Sequence, residues 1–220
     1  MKYVYLLLLC WMLAACSNSV ESQLYADITA TSKEAIEHSK GLAIAYTNAY
    51  ENASTLQLFF KEDQTKAIFL KNDNEGVAFH EETIWLTDHI VQTSINNGED
   101  FVYVIYRITD EAIELVYEGV TESMMTVGEI EKLPVIELYL AFPIIQGTSF
   151  DNWTITNVDV TVDTPFKLFT NAIEVTRETG NRKLYRYFSP GFGLIKQIEL
   201  LQTTDNLIKI SSTLENIIYE

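Results

Sequence analysis

Residues able to carry chemistry are few in this 220-residue chain, and their spacing assigns most of them to structure. His38, His80 and His89 stand at least eight residues apart, and the two cysteines, Cys10 and Cys16, lie together near the N-terminus. A transition-metal site needs clustered ligands, so none is predicted. His80 beside Glu81 and Glu82 reads as a surface cluster. Asp73-Asn74-Glu75-Gly76 lacks the ligand spacing and distal glutamate of a calcium loop, and reads as a turn. Asp159 and Asp163 fall on one face of an expected strand, with Thr161 between them. Such a pair suits acid-base or metal chemistry, but a solvated sheet face produces the same pattern. Neither a Gly-x-Ser-x-Gly elbow nor a serine-lysine motif of the penicillin-binding type occurs. An all-β scaffold can bring distant acids together for sugar hydrolysis, yet spacing selects no such pair. Trp85, Trp153, Tyr185 and Tyr187 could line a groove for a glycan, peptide or acyl chain, or fill a core. No catalytic residue or cofactor site is predicted.

The first sixteen residues are more telling. Lys2 precedes an uncharged run from Tyr3 to Met12, followed by Leu13-Ala14-Ala15-Cys16. That is the pattern of an export leader with a small-residue cleavage site. The apolar run falls short of the ~20 residues that span a bilayer as a helix. With cysteine after the cut, residues 1–15 resemble a lipoprotein signal peptide, and the resemblance implies diacylglycerol on the Cys16 sulfur, with palmitate-like chains as the membrane anchor. Two chains hold a protein stably where one does not. An ordinary secretory signal is the alternative.

Loss of residues 1–15 would remove Lys2 and no acid, leaving 14 basic against 31 acidic residues and a formal charge of −17. Nucleic acid and anionic lipid surfaces are poor partners for such a chain, because binding them depends on Lys and Arg neutralising phosphate charge. Cys10 would leave with the leader, so no disulfide is available to the folded body. About 180 residues after the tether can still bury around 70% of their extended surface.

Polar residues Ser17–Ser22 read as a tether. Thr31 and Glu34 have capping-box spacing, and Gly41 could close a short helix over 32–40. The predicted organisation is therefore a leader over 1–15, a lipidated cysteine, tether and short helix over 16–41, and an antiparallel β domain over 42–220. Beyond Leu42, short runs rich in Val, Ile, Thr, Tyr and Phe alternate with turn residues every eight to twelve positions. Hairpin turns are expected at Asn72–Gly76, Asn96-Asn97-Gly98, Thr109–Glu111 and Thr179–Asn181. Phe101–Tyr106 is apolar at both parities and predicts a central strand covered on both faces. Trp153 and Ile155 share one parity while Val158, Val160 and Val162 take the other, which predicts a β-bulge near Thr156-Asn157. Ser189-Pro190-Gly191-Phe192 predicts a type II turn rather than a phosphate loop. Residues 55–118 and 153–218 are alike in layout, with 119–146 as a connector whose Glu129–Pro134 stretch could be a short helix or a covering loop. The fold class is mainly β: a meander forming a curved sheet or half-barrel, with one or two short helices.

From Pro143 to Lys196 the chain resembles a family of uncharacterised bacterial exported proteins, many of them lipoproteins of Gram-positive bacteria. The resemblance rests on Pro143, Gly147, Trp153, Thr164-Pro165, Phe169 and Ala172, and above all on Tyr187-Phe188-Ser189-Pro190-Gly191-Phe192-Gly193-Leu194-Ile195-Lys196. Similar proteins place a glycine after the Thr-Pro pair, where this chain has Phe166-Lys167. The resemblance implies fold and export and transfers no active site.

Together these features predict a lipid-anchored protein on the extracytoplasmic face of the cell membrane. It would act as a non-enzymatic binding or accessory module for an amphiphilic or glycan ligand. A cell-wall polymer hydrolase and a protein-interaction subunit of an envelope complex are the alternatives, so the partner is a small molecule, a glycan or a protein.

Overall fold

The computed structural model describes residues 53–71, 78–98, 101–120 and 125–219. Cys16, the tether, the helix expected over 32–40, His38 and the turn at 72–76 lie outside the described residues. Twelve described strands form one antiparallel sheet: β1 (Thr65–Lys71), β2 (Phe79–Trp85), β3 (Ile90–Asn96), β4 (Phe101–Ile108), β5 (Ala112–Gly119), β6 (Glu137–Ala141), β7 (Ser149–Phe150), β8 (Trp153–Asp163), β9 (Leu168–Thr179), β10 (Arg182–Ser189), β11 (Gly193–Gln202) and β12 (Leu207–Tyr219). Their spatial order is β6-β5-β4-β3-β2-β1-β12-β11-β10-β9-β8-β7. Every described strand pairs with its neighbours in sequence except that β6 and β7 do not pair with each other, and β1 pairs with β12. Two six-stranded meanders thus join side by side, and the sheet curls into a nearly closed barrel. Its two end strands, β6 and β7, are consecutive in the chain.

Local sequence explains the turns. Between β9 and β10, Thr179 pairs with Arg182 across a two-residue loop whose Gly180 has φ +60°. Between β10 and β11, Phe192 N–H donates to the Ser189 carbonyl at 3.0 Å with Gly191 at φ +76°, the expected type II turn. In the β4–β5 turn the Thr109 hydroxyl oxygen accepts the Ala112 N–H at 3.0 Å. Curvature comes from bulges. The β8–β9 register shifts three times between Ile155 and Val162, beginning at the Thr156-Asn157 step, and single shifts interrupt β1–β12, β4–β5, β5–β6 and β10–β11. Each bulge bends its strand and increases local twist, which lets a long sheet close.

β4 is covered on both faces, as its two-parity pattern requires. Val104 and Tyr106 join the interior cluster, while Ile105 packs outside with Ile90, Val116 and Ile130. Ile130 belongs to the short helix α1 (Val127–Ile130), at whose start Thr126 N–H donates to Glu129 Oε2 at 2.8 Å. Arg107 of β4 holds the helix end, donating from Nη1 to the Glu131 and Leu133 carbonyls at 2.8 and 3.2 Å.

Two segments depart from the sequence expectation. The stretch assigned as a connector contains β6, which completes the barrel wall, in addition to α1. Residues Ala53–Phe59, at the start of the first strand block, form a 3₁₀ turn that packs into one end of the barrel. Leu56 and Phe59 are fully buried, and the Leu58 carbonyl accepts the Gly191 N–H at 2.6 Å. Burying each of these side chains contributes about 1.5–3 kcal/mol, enough to override the strand preference of a Leu/Phe run. The β8–β9 tip closes the same end: Phe166 N–H donates to the Leu214 carbonyl at 3.3 Å, and Phe166, Phe169 and Phe192 pack together.

The plug depends on one glycine. Gly193 has φ +62°, and a Cβ there would lie 2.7 Å from the Phe59 carbonyl oxygen. Gly193→Ala is expected to lower unfolding free energy by about 2–4 kcal/mol, from left-handed backbone strain plus displacement of the 3₁₀ turn, read as a lower midpoint in urea.

Candidate functional site

The plugged end leaves a cavity of about 370 Å³ inside the barrel, lined from both meanders. Its residues include Phe79, Asn97, Glu118 and Glu137, which sit at the strand ends of the opposite rim. The walls are aliphatic at Ile95, Val104, Leu115 and Leu194, and polar at Glu81, Tyr106, Tyr139, Arg186 and Gln197. Arg186 on β10 and Gln197 on β11 are direct cross-strand partners.

Two charged clusters flank this space. In the first, Lys61 Nζ donates to Glu81 Oε1 at 2.6 Å, with both side chains largely buried. A pair this secluded is sustained only with both partners present. The second straddles the junction of β6 with β8, β9 and β10. Glu137 Oε1 accepts the Trp153 indole N–H at 2.8 Å and an Arg186 N–H at 3.4 Å, while Oε2 accepts from Arg177 at 3.1 Å. Both guanidinium carbons lie over the Trp153 ring, at 4.4 Å for Arg177 and 4.2 Å for Arg186, in cation–π geometry. Burial alone would raise the Glu137 pKa, but the indole N–H and the two guanidiniums outweigh it and hold the carboxyl below its usual range.

Tyr106 and Tyr139 meet at 4.8 Å between ring centroids. Burial raises both phenol pKa values, so each stays protonated at neutral pH and can donate or accept a hydrogen bond. Neither hydroxyl is paired with a protein group among the described residues, and both side chains line the cavity. The arrangement suits binding: aliphatic walls, one guanidinium, two phenols, two amides and three carboxylates converge on one half-open space. Among the described residues no three His, Cys, Asp or Glu side chains come together as a metal site.

The structure distributes the residues singled out from sequence rather than gathering them. Trp153 is buried beneath the two arginines and reaches the cavity only through Arg186. Trp85 lies towards the plugged end, donating its indole N–H to the Lys61 carbonyl at 2.9 Å. Tyr187 packs on a separate apolar cluster with Phe169 and Ile195, and Tyr185 lines a different surface depression with Ile198 and Ile210. Asp159, Thr161 and Asp163 are exposed, as a solvated sheet face requires. His89 sits against Asp88 at 2.6 Å, a contact that raises its pKa, and 3.6 Å from Glu131.

Correction falls on Glu81. Read as part of a surface cluster with His80 and Glu82, it points into the barrel while His80 stays outside. The signal was present: Glu81 shares strand parity with Phe79, Thr83 and Trp85, an acid on the core-facing side. Arg186 likewise shares parity with Leu184 and Phe188. Glu137, Tyr139 and Gln197 carried no comparable signal.

The class is thus a nearly closed, twelve-stranded antiparallel barrel with one end plugged and an interior cavity of mixed polar and aliphatic lining. No family model matches the chain, and no curated protein matches it. Solved structures similar to it include a "putative exported protein with YmcC-like fold" from Bacteroides fragilis, at TM-score 0.47 and 11% identity over 74% of this chain and 99% of that one. Another is a "putative lipoprotein" from Parabacteroides distasonis, at TM-score 0.43 and 11% identity over 73% and 98%.

Glu137 yields a pH-dependent prediction. Its folded pKa lies below its unfolded value of 4.5, so its contribution is present above that value and lost as pH falls through the folded pKa. Glu137→Gln is expected to lose on the order of 1–3 kcal/mol at pH 7. Urea midpoints taken from pH 7 to pH 3 should show the gap between wild type and variant narrowing below pH 4.5.

Proposed function

We propose that the chain is a lipid-anchored, extracytoplasmic binding protein whose barrel interior holds an amphiphilic small molecule. The observation that carries the reading is the cavity: aliphatic walls surround converging polar groups, and the plugged end makes it a pocket rather than a channel. An apolar body with a polar end satisfies both surfaces at once. Cys16 and the leader before it support attachment to the membrane, the phase from which amphiphiles are drawn. The reading is non-enzymatic, because the groups around the cavity are donors, acceptors and paired charges rather than a nucleophile set against a base.

Two measurements test it. Full-length protein expressed in its own host and extracted in mild detergent should carry a reproducible added mass in native mass spectrometry, and solvent extraction should release that mass as an amphiphile. A clean apo mass would overturn the retained-ligand reading and favour a protein-interaction subunit. Cys16→Ala should move the protein from the membrane fraction to the medium or the uncleaved precursor; unchanged membrane attachment with normal processing would refute anchoring through this cysteine.

A further inference from the structure

We infer that the cavity selects a ligand bearing an anionic group, and that Arg186 is the residue that takes it. The inference rests on the amphiphile reading above and names the chemistry of the polar end. Charge at the seam cluster does not cancel. One carboxylate, Glu137, is shared by two guanidiniums, so the group of Glu137, Arg177 and Arg186 has one positive charge in surplus. Glu137 and Arg186 both line the cavity and Arg177 does not. The shorter bond of Glu137, 3.1 Å, goes to Arg177 and the longer, 3.4 Å, to Arg186, so Arg186 is the less compensated of the two guanidiniums. Among the described residues Arg186 donates one hydrogen bond, the 3.4 Å contact to Glu137, although a guanidinium carries five N–H donors.

Its position is fixed for recognition. The guanidinium is stacked on Trp153 at 4.2 Å, lies 5.1 Å from the Tyr139 ring centroid, and its side chain is 21% exposed. Stacking removes the conformational freedom that an arginine otherwise loses on binding, so the planar fork is preorganised for a carboxylate or phosphate. Gln197, directly across the strand pair, and the Tyr139 phenol supply further donors.

The acids of the cavity do not reverse this preference. Glu81 is neutralised by Lys61 at 2.6 Å, and Glu137 is the shared carboxylate itself. Glu118 is exposed at the rim, where solvent and salt screen it, whereas a charge inside the barrel acts through a less polarisable medium.

The test is calorimetric titration of full-length protein in nanodiscs of neutral lipid, against empty-disc blanks, with octanoate, octyl glucoside and glucuronate. Octanoate is expected to bind at least tenfold more tightly than either of the others. Arg186→Gln should abolish that preference while leaving octyl glucoside within about twofold of wild type, with a melting curve confirming the fold. Because Arg186 also braces the seam, Glu118→Gln supplies an independent variant: removing the rim charge should tighten octanoate about twofold at low salt and leave octyl glucoside unchanged. Octanoate affinity that is unchanged or weakened in that variant counts against the inference. Equal binding of octanoate and octyl glucoside overturns the anion preference and leaves the amphiphile reading standing. Glucuronate binding as tightly as octanoate upholds the anion site and overturns the amphiphile reading. Binding by none of the three overturns both.

Discussion

Two carboxylates, Glu137 above all, hold the place where this barrel has no backbone ladder. Eleven strand pairings carry the sheet around, yet the end strands β6 and β7 share none of the described hydrogen-bonded registers. Side chains substitute. Glu137 on β6 takes the Trp153 indole from β8 and the guanidiniums of Arg177 on β9 and Arg186 on β10, while Asp151 beside β7 accepts the Leu138 N–H at 2.7 Å. Strand edges left without partners invite pairing with other chains, so a seam sealed by ionic and indole contacts also protects the protein from association.

The seam and the cavity are consequences of each other. Holding β6 against β8–β10 brings Tyr139 and Arg186 to face one another across the interior, where a fully laddered edge would need no arginine. At the plugged end the 3₁₀ turn and the residue after it supply Phe59 and Phe60, which meet Phe188, Trp85, Tyr106 and Tyr139 through edge-on, tilted and stacked ring contacts. The Lys61–Glu81 pair lies buried against that aromatic plug, and Phe79 and Ile95 stand with Glu137 and Arg186 toward the rim, so apolar and charged groups alternate around the interior.

Much of the wall was legible in the chain. Gly180 and Gly191 mark turns that need positive φ, the parity slip after Ile155 marks a real bulge, and the two-sided apolar run of β4 marks a strand with cover on both faces. The binding groups were not. β6 was hidden because Glu137, inside a five-residue strand following a proline-bearing loop, looks like solvated connector until its three partners come from residues sixteen to forty-nine positions away. Tyr106 and Tyr139 are unremarkable in a chain with 12 tyrosines, and only the pairing and curvature of β4, β5 and β6 set them side by side.

Sequence by itself determined what is local: strands of alternating parity, and turns where glycine or proline fixes the backbone. These follow from short-range sterics and from the period of the pleat, which a chain carries wherever it folds. Tertiary structure alone decided that the sheet closes, that Lys61 is the partner Glu81 meets, and that one carboxylate must serve two arginines. Charge balance inside a cavity is a sum over strands distant in the chain, and it is set by closure rather than by any one segment.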